Sequence, residues 1–429
     1  MRTSIPRWAR RAAGLVLAAL AVAGTAEASQ VTLRYWSFLD PKDPNPRSVA
    51  QTRIIEDFMA KNPDVAVKVE VVHWSKIVPM LITAAGAGQA PDVALIHSSR
   101  MPMAIESGAV VPLDRYVASW SDRERKDFLL ALEDLQYKKR VYSLPWEHRV
   151  EGVLMYRKDL LEQAGVSTPP RTWAEVAEVA RRLTGGNRWG FVWALSRKDA
   201  AANVKILQTL YWSLGGDFYN ADGTAAIASP AGIRIAQTLA DLLQKAKVMP
   251  PSIIGVEEAR TMAKAGAAVM IIDGTQVVGS IQAGKGIGRN LRTAPLPSFD
   301  PLKPASAIVA GQTLAITKDA KAPDAAWRFI AHMISPAAQI VNARIGQNMP
   351  TRKSAYDDPW FRQEEASELV AWKDYILAGG RPYRTVELSD FMNDVLAAAY
   401  EEILTGRAPV KDALDRAAAR FNDRARQAK

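Results

Sequence analysis

The chain carries 12 tryptophans, and Trp36, Trp146, Trp193 and Trp212 fall near expected strand ends or loop starts. An indole face beside charged hydrogen-bonding side chains suits a sugar-like solute, because sugars present apolar C–H faces inside a rim of hydroxyls. Glu147, His148 and Arg149 follow Pro145 as a run of charged and hydrogen-bonding side chains, and Asp273 ends an apolar run where its carboxylate can accept hydroxyls. Each of these has a plainer reading. The tryptophans can be core, Glu147 to Arg149 a solvated loop, and Asp273 a helix cap. Trp74 fits either role, whereas Trp173 and Trp327 lie in helical patterns and are expected in the core.

Catalytic and metal chemistry finds little support. The acidic pairs Glu56-Asp57, Glu364-Glu365 and Glu401-Glu402 lie on expected helices and read as solvated faces. A glycosidase needs two carboxylates flanking one bond, and Glu147 with Asp273 is the pair that could serve. The four histidines, at 73, 97, 148 and 332, have no zinc spacing, and no Gly-x-Ser-x-Gly elbow is present. Gly284-Lys285-Gly286-Ile287-Gly288 lacks the frame of a phosphate loop, and Asn220-Ala221-Asp222-Gly223 lacks the later glutamate of a calcium loop. With no cysteine, disulfides, thiolate metal sites and a lipid-modified N-terminal cysteine are excluded. Neither a cofactor nor a metal is expected. The net charge is +10, but the basic residues are scattered without interleaved aromatics, so nucleic acid is not an expected partner.

The elements that must position these residues follow from periodicity. Arg2, Arg7, Arg10 and Arg11 precede the apolar run from Ala12 to Ala23 and the triplet Ala26-Glu27-Ala28, so residues 1–28 read as a cleavable secretory signal, with a periplasmic destination. Arg10-Arg11 also admits twin-arginine export. The remainder exceeds one core, so two domains are expected. Val31 to Trp36 reads as a strand with Val31, Leu33 and Tyr35 on one face; a helix ends at Asn62-Pro63; Val65, Val67, Val69 and Val71 alternate as a second strand. A helix over Ile77 to Ala85 leads to a buried parallel strand from Val93 to Ile96. Ligands of open α/β sheets bind beyond the carboxyl ends of strands, which brings Trp36-Ser37 and His97-Ser98-Ser99-Arg100 to one crevice. A second α/β region starts near residue 150: Thr172 with Glu175 caps a helix, Trp189 to Leu195 is a strand, helices run over Ala200–Leu214 and Ser229–Ala246, and Ala267 to Ile272 is a buried strand. Pro295 to Pro304 is a connector before an extended stretch to Ile316, and the tail is mostly helical.

In this order the residues resemble the extracellular solute-binding proteins of ABC importers, in the group that includes maltose-binding members. The features are Ala90-Pro91-Asp92-Val93, Glu106-Ser107-Gly108, Tyr142-Ser143-Leu144-Pro145, Met155-Tyr156-Arg157-Lys158-Asp159, Leu214-Gly215-Gly216, Asp273-Gly274, Gly311 and Asn348-Met349-Pro350-Thr351-Arg352. The resemblance implies an α/β, type II periplasmic-binding-protein fold of two lobes, 29–146 with 310–348 and 147–309 with 349–429. Crossing segments are implied near Leu144–Val150, Ala305–Gly311 and Asn348–Arg352. It adds Gly216, Gly311, Gln312, Asn348 and Arg352 to the ligand-facing set, Arg352 having an interlobe ion pair as its plainer role. It further implies a monomeric, non-enzymatic protein that hands a small polar ligand, a carbohydrate above all, to permease subunits in the inner membrane. Members often carry Asp or Asn where this chain has His97-Ser98-Ser99, and an aromatic where it has Thr275-Gln276. A sugar acid, a polyol, a phosphorylated polyol or a cationic solute therefore stays open as ligand. An exported carbohydrate-active enzyme and an adhesion module are the alternatives from other classes.

Overall fold

The computed structural model describes residues 30–199, 204–303, 305–383 and 388–427; the export signal expected at 1–28 and the start of the helix expected from Ala200 lie outside the described residues. Twelve strands are described: β1 (Val31–Ser37), β2 (Val65–Val71), β3 (Val93–His97), β4 (Leu144–Pro145), β5 (Arg149–Glu151), β6 (Val153–Arg157), β7 (Trp189–Trp193), β8 (Ala268–Asp273), β9 (Leu291–Ala294), β10 (Ile308–Ala310), β11 (Gln312–Ile316) and β12 (Arg381–Pro382).

The first sheet has the order β2-β1-β3-β11-β4. Strands β1, β2 and β3 run parallel, while β11 is antiparallel to β3 and to β4. Both faces are covered, as a mainly parallel sheet requires. Leu33 and Tyr35 face Phe58 and Phe329, with the Tyr35 and Phe329 rings edge to face at 5.2 Å. Trp36, on the other face of β1, packs with Ile77, Val78 and Leu81. The helix Pro46–Lys61 starts where Asn45 accepts from the Arg47 backbone N–H and Pro46 takes a first-turn position that needs no donor.

The second sheet has the order β7-β8-β6-β9. Every residue of β8 is buried, which accounts for its unbroken apolar run between two neighbouring strands. Thr172 caps the helix Trp173–Leu183 by accepting from the Glu175 N–H, but the returning Glu175 carboxylate takes the Arg171 N–H and not that of Thr172. Ser229 caps the helix Pro230–Ala240 with Pro230 in the first turn.

A three-stranded ribbon, β12-β10-β5, joins the two sheets. Strand β4 belongs to the first sheet and β5 to the ribbon, so the chain crosses between them over residues 146–148. Only Gly311 separates β10 from β11, giving a second crossing beside the first. The bridge between His148 and Met349 lays a third passage along them. The architecture is thus a two-lobed α/β fold with crossing segments. Among the described residues no helix is long and apolar enough to cross a membrane.

Candidate functional site

A cavity of about 660 Å³ opens between the lobes at the crossings. Ser98, Tyr142 and Pro145 line it from the first lobe, Glu147, His148 and Gly311 from the crossings, and Trp212, Asp217, Arg381 and Tyr383 from the second. Glu147 is buried and receives both its hydrogen bonds from Arg47 Nη2, at 2.7 and 2.9 Å. Trp212 lies in the last turn of the helix Leu207–Ser213, where the Leu214-Gly215-Gly216 turn brings Asp217 back beneath it. Asp217 accepts from Trp212 Nε1 at 3.0 Å and from Gln208 Nε2 at 2.7 Å, so the indole plane is fixed at its polar edge. The Arg381 guanidinium lies 5.2 Å from the Trp212 ring centre. This is a half-buried aromatic plate with charged groups on its rim, the combination that a polyhydroxylated solute needs.

Directly behind the cavity lies a charged cluster. The two-residue period of β5 puts Arg149 and Glu151 on one face, with Val150 in the core on the other. Glu151 Oε1 is 3.4 Å from Arg149 Nε, 3.4 Å from Lys205 Nζ and 3.8 Å from His97 Nε2. Burial opposes ionisation of Glu151, but Lys205, His97 and Arg149 outweigh it and hold the carboxyl far below the usual carboxylate range. Burial, with Arg149 adding to it, pushes the His97 imidazole down to about 3, so His97 is neutral at neutral pH. Its Nδ1 meets Ser99 Oγ at 2.7 Å. Burial alone pushes His148 down to about 4.

The expected site residues therefore separate. Ser98, Glu147, Trp212 and Gly311 meet at the cavity, and His97, Ser99 and Arg149 stand immediately behind it. Gly216 shapes the turn below Trp212, its N–H bonded to the Tyr211 carbonyl. Others are drawn away. Trp36 sits in the packing on the far face of β1 and donates to Glu70 at 2.8 Å, and Ser37 Oγ donates to Gln51 at 2.8 Å. Trp146 is fully buried in the core of the first lobe, because the alternation at the crossing turns its side chain opposite to that of Glu147. Trp193 stacks on Trp173 at 5.9 Å in the core of the second lobe, not at the cleft. Asp273 is closed by a fork from Arg260, at 2.8 and 3.1 Å, and by the Gly274 N–H. Gln312 is buried, and its backbone carbonyl accepts from the Trp146 N–H. Asn348 donates to Asn342, and Arg352 pairs with Asp127 at 2.8 Å over the Phe128 ring, a structural ion pair.

Asp217, Arg381, Tyr383, Glu151 and Lys205 were not anticipated. The Arg149-Val150-Glu151 alternation puts two opposite charges on one face of a strand, but Lys68-Val69-Glu70 does the same on an exposed face of β2, so the pattern alone did not mark burial. Lys205 and Arg381 had no local signal, because only the fold brings them there.

A two-lobed protein with a cavity between its lobes at the crossings is a cleft-type binding protein by architecture. Residues 44–340 match the bacterial extracellular solute-binding protein family, and the chain belongs to that family. Maltose-bound MalE3 of T. maritima is 25% identical, with a TM-score of 0.75 over 91% of this chain and 99% of that one. A binding protein of Brucella abortus is 27% identical over 243 residues, 56% of this chain and 56% of the relative. The sn-glycerol-3-phosphate-binding periplasmic protein UgpB of Rhizobium meliloti is 25% identical over 290 residues, 63% of this chain and 65% of the relative. The match thus spans little more than half the length of the first of these curated relatives.

Proposed function

We propose that this chain is the ligand-capturing component of an ABC importer, exported to the periplasm with residues 1–28 removed after Ala28. It holds a small polar solute of the sugar or polyol class and passes it, as a monomer and without chemistry, to permease subunits. Its lobes are 29–146 with 310–348 and 147–309 with 349–429. The observation that carries this reading is the 660 Å³ cavity at the crossings, lined from both lobes and furnished with the braced Trp212 plate. Family membership supports it. So does the engagement of Asp273 by Arg260, which removes one of the two carboxylates a glycosidase would need.

The test is native mass spectrometry of gently purified exported protein, followed by small-angle scattering of the stripped and reloaded forms. A small polar ligand released chemically intact, with compaction on reloading, is the expected result. Conversion of that ligand on incubation, or a bound ligand that leaves the dimensions unchanged, overturns the reading.

A further inference from the structure

We propose that the charged cluster behind the cavity is a receptor for an oxyanion carried by the ligand, so that the captured solute is an anionic sugar or polyol. The inference rests on the binding reading above and narrows it to a substrate class.

The argument starts from a charge count. Arg149 and Lys205 share a single carboxylate, that of Glu151, and both contact the same oxygen. His97, the third group facing that oxygen, contributes no charge at neutral pH. Neighbouring acids do not make up the difference: Glu147 is matched by Arg47, and Asp273 by Arg260, whose other partner, Glu257, is exposed and screened by solvent. Asp217 is turned towards Trp212 and Gln208. Among the described residues the cluster keeps one positive charge in excess. A buried charge without a partner is expensive, and proteins hold one where something else completes it.

The donors show the same shortage. Lys205 is 7% exposed, yet its only described partners are Glu151 at 3.4 Å and the Tyr383 ring at 5.6 Å. A charge-assisted bond is ordinarily about 2.7–2.9 Å. Among the described residues Arg149 Nε is buried with no hydrogen-bond acceptor, and 3.4 Å to Glu151 is its one ionic contact. The Lys205 ammonium has three protons and the Arg149 guanidinium five, against one shared oxygen.

The position fits a ligand group. Arg149 pairs across the ribbon with Ala310, Lys205 lies against Tyr383, and His97 precedes Ser98. Ala310, Tyr383 and Ser98 all line the cavity. An oxyanion at that floor accepts hydrogen bonds from Lys205 and Arg149 while the rest of the solute lies over Trp212. The rim acids Glu133 and Asp134 are exposed, so solvent and salt screen them.

Calorimetry on the full exported chain tests this with matched probes: glycerol 3-phosphate and D-glucuronate against glycerol, D-glucose and maltose, each repeated with Lys205→Met and Glu151→Gln. The expected result is that an anionic probe binds at least about tenfold more tightly than its uncharged counterpart. Lys205→Met then weakens it at least about thirtyfold, while Glu151→Gln, which removes a competing carboxylate, tightens it. Preference for glycerol 3-phosphate identifies a phosphate ester, and preference for glucuronate a carboxylate. Binding and closure with uncharged probes alone overturns the inference and leaves the binding reading standing. Equal weakening by both substitutions marks the cluster as a structural prop and overturns the inference as well. Binding of no probe overturns both.

Discussion

An indole offers a usable binding face only when its plane is held, and at Trp212 the holding groups are Asp217 at the ring nitrogen and Arg381 over the ring. Trp212→Ala is therefore expected to weaken ligand binding by at least about thirtyfold while leaving most of the stability, since the residue is half-exposed. Trp193 is the opposite case. It is 2% exposed and stacked on Trp173, so Trp193→Ala should cost about 3–5 kcal/mol of folding free energy while the surviving folded protein binds normally. Calorimetric affinity and denaturant unfolding of the two variants, side by side, check both halves; an inverted pattern would move the plate elsewhere. His148 gives a pH signature. Its folded-state pKa is lowered by burial to about 4 from the ordinary 6.5, so below 6.5 the unfolded chain takes up a proton that the folded chain refuses. The stability this histidine contributes is present above pH 6.5 and is lost as pH falls towards 4, at up to about 1.4 kcal/mol per pH unit. His148→Gln should remove that component, so unfolding curves of wild type and variant should diverge between pH 6.5 and 5; parallel curves would show that His148 is protonated in the folded state.

Among the elements, the paired crossings depend on one residue without a side chain. A Cβ at Gly311 would overlap the Glu147 carbonyl oxygen, and that oxygen belongs to the neighbouring crossing, whose backbone cannot rotate away as a side chain could. Gly311→Ala should thus lower stability by at least about 2 kcal/mol and reduce affinity together with it, because it pushes its own passage away from the one on which Glu147 and Arg149 are mounted. Thermal unfolding reads the first effect and calorimetry the second; a stable, normally binding variant would mean that the crossings have slack. The same scale shows what could be read from the residues alone. The alternation of Leu33 and Tyr35, the apolar run of β8 and the Ser229-Pro230 start are local signals, and local signals set strands and caps. Glu147 was placed at a crossing by the resemblance to the family, not by any local signal. Trp146 beside it was misplaced, because which of two alternating side chains faces the cleft is decided by how the lobe packs behind it. Asp273 was misplaced for a related reason: its partner Arg260 sits on the helix Val256–Lys264, and only the tertiary fold brings that guanidinium to the strand end. Lys205 and Arg381 come from distant parts of the chain, so no window of sequence contains their relation to Glu151 or Trp212.

At the scale of the molecule, the cavity draws its lining from both lobes, so the full set of contacts exists only when the lobes approach each other. Ser98 and Tyr142 stand on one side, Trp212, Arg381 and Tyr383 on the other, and the passages at 146–148, at Gly311 and at Met349 lie side by side between them. A ligand shifts such an equilibrium only by the difference in its affinity for the two arrangements, and a solute that bridges both walls has that difference built in. Saturation should therefore reduce the radius of gyration and alter tryptophan emission together, since Trp212 is both part of the wall and half-exposed. At a ligand concentration of about 100 times Kd, binding to the folded state alone adds about 2.7 kcal/mol of stability, which raises the melting temperature by a few degrees. Trp212→Ala separates the steps. If the plate contributes chiefly once the lobes are closed, the variant should still bind weakly through the first lobe yet compact less at saturation than the wild type. Scattering of both proteins at matched saturation is the measurement, and identical compaction in the two would show that closure is driven by contacts other than the Trp212 wall.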